Sequence, residues 1–461
     1  MAADEGHALD TSDRTEAIAA PELTSSDIPV SRWASHRLRW LVNWGTKGAL
    51  AVVDQALFAG AQFGLNVLLA RWLDPDGYGA FAVAYAVFLL IAAVHTAVLI
   101  EPMIVFGSGK YFSDQRLYLG VVLRGHWLLT IPAGLALLTA GGLIARFYSH
   151  AVGQPLCALA VALPFVLLSW VTRRAFYMEL QPGRAAVGGL VFFCALLASV
   201  YWIHEAHALT PATAVLAMGG AALLCAAIQL FWLRPARLRS ASTLALRSAA
   251  SEHWTYGRWA LAAVLPSWTL LNFYYLALPV RFGLKQAGEL KAIMNLAMPA
   301  THTVIAFGVL LIPLLVRHLE LGGCRLVQRT VRRVTAIFVT GGSAYLILLW
   351  FFRFQILRLF YGGRYLQDAG LPVFVLGLAP IATALSVSFG VALRSFERPD
   401  RVFWANAVAS LVTLSFGLLL AAFWGVLGAA VGYLVSYATL AAALWLFYHK
   451  TLLAKLREHS D

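Results

Sequence analysis

Ala80-Phe-Ala-Val-Ala-Tyr-Ala-Val-Phe-Leu-Leu-Ile-Ala-Ala-Val-His-Thr-Ala-Val-Leu-Ile100 holds no Asp, Glu, Lys or Arg. As a helix, a run of about 20 apolar residues covers the roughly 30 Å hydrocarbon thickness of a bilayer. Lipid offers the backbone no hydrogen-bond partner, so only helices and closed barrels cross it. The run is too long and too continuous for a barrel strand, which needs about 10 alternating residues. Similar runs recur from Gly48 to Tyr448, separated by short polar loops. They place twelve spans near 48–70, 80–100, 117–144, 152–172, 185–203, 211–233, 258–280, 290–316, 334–352, 371–393, 402–424 and 427–448. The chain reads as an all-α polytopic membrane protein.

Composition agrees: 60% hydrophobic residues, 12% charged ones and a mean hydropathy of +0.74 exceed what a soluble core requires. The net charge of +13 is a topology signal and not a nucleic-acid footprint. Most of the 35 Lys and Arg residues fall in alternate loops, which the positive-inside rule places in the cytoplasm together with both termini. A bacterial inner-membrane location with cytoplasmic termini is expected. Cys157, Cys194, Cys225 and Cys324 show neither metal-ligand spacing nor a disulfide framework. Residues 1–31 are acidic, lack an apolar signal segment and read as a disordered cytoplasmic tail. Segment 32–47, with Arg32-Trp-Ala-Ser-His-Arg-Leu-Arg-Trp-Leu-Val-Asn-Trp44, mixes indoles and guanidinium groups as an interfacial helix does.

The longest internal loop, 234–257, splits the spans six and six, giving bundles 48–233 and 258–449 before a cytoplasmic tail, 450–461. A weak internal repeat accompanies the split, as in transporters built from two related halves. Leu65-Asn66 parallels Leu271-Asn272, and the following helices open with Tyr78-Gly79 and Ala287-Gly288. Pro132, Pro164, Pro266, Pro299, Pro313 and Pro380 interrupt spans, as hinges or as static kinks.

Three segments resemble the polysaccharide and O-antigen flippases of the multidrug/oligosaccharidyl-lipid/polysaccharide superfamily. They are Leu69-Ala-Arg-Trp-Leu-Asp-Pro-Asp-Gly-Tyr-Gly-Ala-Phe81, Leu359-Phe-Tyr-Gly-Gly-Arg-Tyr365 and Trp424-Gly-Val-Leu-Gly-Ala-Ala-Val-Gly-Tyr-Leu-Val-Ser436. The resemblance covers about residues 45–449. It implies two six-helix bundles around a central cavity lined mainly by helices one, two, seven and eight. It also implies a carrier that moves polyprenyl-diphosphate-linked oligosaccharide by alternating access, for O-antigen, exopolysaccharide or capsule synthesis. Partners implied with it are membrane lipid and polysaccharide polymerase or export machinery. No cofactor is expected; proton or sodium coupling stays open. The first alternative is a cation-coupled multidrug antiporter of the same superfamily. A major-facilitator carrier is a further alternative, but Gly107-Ser-Gly-Lys-Tyr-Phe-Ser-Asp-Gln-Arg116 only faintly suggests its signature loop. A membrane-bound glycan polymerase or acyltransferase would be an enzyme; the short external loops argue against it.

Polar side chains inside spans are expensive and mark function by default. Lys291, Asn295 and His302 share one face of the eighth span, because steps of four and seven return within about 40°. Gln55, Gln62 and Asn66 form a comparable stripe on the first span, with Asp54 about 100° away. Such stripes face a neighbouring helix or a wet cavity. Arg258 and Asn272 share a face of the seventh span, and Arg124 with His126 interrupts the third. Arg124, Lys291, Asn295, His302, Arg258, Asn272, Gln62 and Asn66 are the expected cavity residues, since a diphosphate calls for cations and hydrogen bonds. Arg124 could equally pair internally with Glu101 or Asp54. Those two acids are the candidate coupling carboxylates, and His95 is a further polar residue of the second span. No nucleotide-binding loop, nucleophile elbow or zinc-protease motif is present. His204, Glu205 and His207 sit together in a loop and read as solvated surface, not as a metal site.

Overall fold

The computed structural model describes residues 30–235, 243–366 and 370–458, and among them every regular element is helical. Contacts divide the chain between Ala49 and Leu50. The acidic tail through residue 29 and the side chains of the basic tryptophan segment up to residue 45 lie outside the described residues. The first six long helices are α1 (Val30–Trp72), α2 (Pro75–Ser108), α3 (Gln115–Phe147), α4 (His150–Met178), α5 (Pro182–Glu205) and α6 (Pro211–Leu233). After the link comes α7 (Thr243–Phe282). The helical stretch Leu284–Phe351 turns on Gly323 (φ 61°, ψ −165°), which separates α8 (284–322) from α9 (324–351). A short helix, Arg353–Tyr361, leads to α10 (Leu371–Ser395). Gly425 (φ 56°, ψ −129°) then joins α11 (399–424) to α12 (426–458).

Ten helical stretches are long and apolar enough to cross a membrane by length and composition alone. One of them, Pro399–Arg457, doubles back at Gly425, so it supplies two crossings. With α8 ahead of Leu314 there are twelve long helices among the described residues, six on either side of the link. Three expected boundaries move. The link 234–257 is not all loop: helix resumes at Thr243, and residues 243–258 extend α7. The expected loop 317–333 is helical on both sides of Gly323, because a single residue with positive φ suffices to reverse the chain. The C-terminal tail likewise continues α12 as helix to Glu458.

Local chemistry sets the helix starts. Asp74 caps α2 by accepting from the Gly77 N–H at 3.2 Å, and Pro75 occupies a first-turn position where no N–H is needed. Thr210 and Thr213 cap α6 reciprocally. Asp76, one turn into α2, accepts the Lys285 backbone N–H at 3.0 Å and so ties α2 to the start of α8.

The halves meet most closely where α2 crosses α8. A methyl group on Gly79 would run into the Leu284 carbonyl. One on Gly288 would stand 2.6 Å from the Pro75 oxygen and 3.0 Å from the Gly79 nitrogen. Backbone therefore touches backbone, as small residues permit between membrane helices. Around the crossing, Arg71 donates to the Leu359 carbonyl at 3.3 Å and Arg364 donates to the Leu73 carbonyl. We call this the far face, and the face carrying the α6–α7 link the link face.

On the link face the halves are joined by side chains. Lys110 binds Glu252 at 2.6 Å, and the Tyr111 hydroxyl donates to the same carboxylate at 3.1 Å. His253 Nδ1 donates to the Val98 carbonyl at 3.2 Å, which fixes Nε2 as the acceptor from the Tyr118 hydroxyl at 2.7 Å. The hydrogen bond from Lys110 draws the Glu252 carboxyl below its ordinary value, and burial pulls the His253 imidazole down. Both groups thus bind protons less readily here than in an unfolded chain. Their contribution is present above the ordinary values of about 6.5 for His and about 4.3 for Glu, and is lost as pH falls through the lowered ones.

The Gly79–Gly288 crossing yields the first prediction. Gly79→Val forces the two backbones apart and is expected to destabilise the detergent-solubilised protein by about 1–3 kcal/mol, typical of overpacking. It should also leave the far face more reactive to a thiol probe placed at Lys285. An unchanged melting temperature and unchanged labelling would show that the crossing is loose.

Candidate functional site

Between the halves, Lys291 of α8 points its ammonium at the ring faces of Tyr85 on α2, 4.4 Å to the centroid, and Tyr275 on α7, 5.3 Å. The residue is only 5% exposed. Among the described residues no carboxylate pairs with it; the ion pairs Lys110–Glu252, Arg173–Asp54, Lys285–Glu289 and Arg398–Asp400 involve other cations. A desolvated cation–π contact contributes about 2 kcal/mol. Withdrawing an ammonium from water costs several kcal/mol even after relaxation. The aromatic cage therefore leaves this charge under-compensated.

Amides and phenols extend the site from α8 to α1. Asn295 donates to the Tyr78 hydroxyl at 2.8 Å, and Tyr78 donates to Asn66 Oδ1 at 3.3 Å. Asn66 in turn donates to the Gln62 carbonyl at 2.8 Å, and the Tyr85 hydroxyl donates to Gln62 Oε1 at 3.2 Å. Lys291, Asn295, Gln62 and Asn66 are thus brought together through two tyrosines of α2. Tyr361 and Tyr345 close over the same stretch of α8 by donating to the Ala292 carbonyl at 2.9 Å and the Leu296 carbonyl at 2.5 Å. His302 is exposed farther along α8, within the electrostatic field of Lys291.

The other expected residues separate. Asn272 is buried and donates to the Trp268 carbonyl at 3.4 Å. Arg258, although on the same face of α7, lies about 21 Å away along the helix and is exposed beside the link-face contacts. Arg124 is half-buried on α3. Glu101 is exposed near the link end of α2, in the field of Arg394 and Arg174. Among the described residues no cluster of His, Cys, Asp and Glu has the makings of a metal site. His204 instead stacks flat on Trp72, 4.1 Å between centroids.

Asp54, the other expected carboxylate, is fully buried and engaged by Arg173 of α4. Arg173 Nε lies 2.9 and 2.8 Å from the two carboxylate oxygens, the Tyr177 hydroxyl donates at 2.5 Å, and Arg173 Nη2 reaches Gln55 at 3.0 Å. The Arg173 guanidinium also stacks over Phe58, 4.6 Å to the centroid. The Gln55–Gln62–Asn66 stripe thus divides between two networks. Sequence reasoning passed over Arg173 because Arg173-Arg174 ends a span and was counted as positive-inside charge. The available signal was Asp54 itself, which needs a cation once buried.

No protein-family model matches the chain, and no curated protein matches it either. Solved structures share its fold. An inward-facing multidrug-resistance MATE-family transporter of the MOP superfamily superposes with a TM-score of 0.71 at 12% identity, over 88% of this chain and 99% of the other. An outward-facing MATE-family transporter gives 0.64 at 12% identity, over 89% and 97%. A MOP-superfamily transporter from Pyrococcus furiosus, whose binding pocket is described as reversed in polarity and suggestive of a different function, gives 0.65 at 11% identity, over 88% and 94%. These matches bear out the twelve-helix, two-bundle fold.

The buried pair supplies the second prediction. Arg173→Ala strands the Asp54 charge and is expected to cost about 3–5 kcal/mol, lowering the amount of folded protein in the membrane. The double variant Asp54→Asn, Arg173→Gln should recover much of that loss. Equal abundance of Arg173→Ala and the parent would mean that Asp54 finds water or another cation.

Proposed function

We propose that the chain is an alternating-access carrier for an anionic, lipid-linked substrate: a flippase for polyprenyl-diphosphate-linked oligosaccharide in a bacterial inner membrane, with cytoplasmic termini. The observation that carries this reading is Lys291, an ammonium buried between the halves, framed by aromatic faces and not paired with a carboxylate. Such a group recognises phosphate oxygens by charge-assisted hydrogen bonding. The amides and phenols of Asn295, Gln62, Asn66, Tyr78 and Tyr85 suit sugar hydroxyls. The reversed polarity of the binding pocket described for the Pyrococcus furiosus protein of this fold supports a reading other than drug export. Phosphate-bearing sugar would travel in the polar region while the polyprenyl tail stays in lipid. Polymerase or export machinery would act on the delivered glycan. The chemistry asked of the site is binding and release, which fits a carrier and not an enzyme.

A second reading has its own support. The MATE-family structures that share the fold are described as multidrug transporters, and the fold accommodates a cation-coupled antiporter at least as well as a flippase. A cationic drug calls for an available carboxylate between the halves, whereas Asp54 is occupied by Arg173.

Deleting the gene in its own host and analysing polyprenyl-diphosphate lipids by mass spectrometry separates the two. Accumulation of a complete lipid-linked repeat unit, reversed by the parent gene, is expected. Lys291→Ala should reach normal abundance yet transport roughly tenfold more slowly, the worth of one charge-assisted hydrogen bond of about 1.5 kcal/mol. An unchanged lipid pool with increased sensitivity to cationic compounds would favour the antiporter.

A further inference from the structure

His95 on α2 and His126 on α3 face each other inside the first half, away from the Lys291 site. His95 Nε2 and His126 Nδ1 are 3.0 Å apart, the rings stand at 88°, and the residues are 4% and 0% exposed. The outer nitrogen His95 Nδ1 is buried without a hydrogen-bond partner, and His126 Nε2 has only the Pro164 carbonyl nearby, outside ordinary hydrogen-bond geometry. A buried polar atom without a partner ordinarily costs about 1–3 kcal/mol, so two of them on adjoining rings call for an explanation.

Proton accounting supplies one. A hydrogen bond between two neutral imidazoles uses one N–H and one lone pair, because each ring carries a single N–H. If His95 Nε2 is the donor, His95 Nδ1 is left as a bare lone pair and His126 Nε2 as an unshared N–H. If His126 Nδ1 is the donor, the two ends exchange character. In either arrangement the pair offers one base at one end and one acid at the other.

We propose that His95 and His126 together form the binding site for a single proton that is taken up and given back during the transport cycle. Uptake forms one N–H bond at the bare outer nitrogen and leaves one positive charge shared between the two hydrogen-bonded rings. Release breaks that same bond and restores the neutral pair.

The surroundings connect this site to the movement of the halves. His95 ends the regular part of α2; the next turn, Thr96–Ile100, is widened, with the Glu101 N–H returning to the Thr96 carbonyl. Pro102 cannot supply the N–H that a regular helix would return to Val98, and the Val98 carbonyl accepts from His253 of α7. A charge on His95 thus sits one turn from the tether between the halves. Glu101 and Arg124 are the nearest charged residues along α2 and α3. From α4 the Pro164 backbone and the Phe165 ring, packed on Trp127, face the pair, and α7 brings His253 and Tyr256 to the same end. Among the described residues no carboxylate stands against either ring.

The inference rests on the reading that the halves alternate, but its test needs no substrate, so its failure is separable from a failure of the flippase assignment. Nitroxides would be placed at Ala206 and Leu371, on a full-length chain in nanodiscs with Cys157, Cys194, Cys225 and Cys324 replaced by Ser. Pulsed electron resonance would compare about pH 5.5 with about pH 8, either side of the ordinary imidazole range. The parent and His207→Gln should shift their distance distribution with pH; His95→Gln and His126→Gln should each give one distribution at both. A shift that survives in both variants, or is lost only in His253→Gln, overturns the proposal, as does a parent that does not respond. Should the variants fail to fold, [15N]histidine spectra of the parent decide. Two rings linked across a hydrogen bond and titrating as one support the site, and two independent or silent rings sink it.

Discussion

The rest of the site depends on one steric constraint, the contact of α2 with α8 at Gly79 and Gly288. With no side chain between them, the backbones approach until the Pro75 and Leu284 carbonyls lie where a β-carbon would be. That approach brings Tyr78 within reach of both Asn66 and Asn295, and sets Tyr85 over the Lys291 ammonium. A larger residue at either glycine would lengthen each of those contacts together. The two glycines occupy matching places in the internal repeat, directly after Tyr78 in one half and Ala287 in the other. The repeat is therefore expressed where the halves touch, as a near-symmetric crossing of two equivalent helix starts.

Asp54 and Lys291 are both buried in the membrane part, and the structure treats them differently. Asp54 is neutralised within the first half by a guanidinium, a phenol and a nearby amide, so its work is to hold α1 against α4. Lys291 is left to two aromatic faces contributed by different helices. The first charge is paired within one half, whereas the second is framed by helices from both.

Much of the fold was legible because lipid restricts the choices: apolar run length gave the helices, and charge asymmetry gave an expected orientation. Boundaries failed where helices extend beyond the bilayer. Residues 243–258 are polar enough to read as a loop, yet they pack on α2 and α3 through Glu252 and His253. The turn at Gly323 escaped notice because one glycine was enough. In the site, spacing put Lys291, Asn295 and His302 on one face and Gln55, Gln62 and Asn66 on another, since helix faces follow from spacing. Gln55 bonds Arg173 instead of the tyrosines, His302 lies farther along α8, and Arg258 stands a long way down the helix from Asn272, because a shared face says nothing of depth. The tyrosines were invisible: Tyr78, Tyr85 and Tyr275 read as membrane hydrophobes until their hydroxyls and faces are seen to meet polar partners.

The two ends of the interface are built from different materials, and this bears on how each can open. The far face closes through backbone contact, carbonyl-directed arginines and the Asp76 carboxylate on the Lys285 N–H. The link face closes through a lysine, a carboxylate, an imidazole and two phenols, each separable from the others. A close-packed contact acts as a two-position latch, whereas a set of separate, titratable hydrogen bonds can yield stepwise. Because His253 binds the turn that follows His95, the yielding end is also the one wired to the buried histidines. Ionisable contacts between the halves are therefore concentrated on the link face, and close backbone packing on the far face.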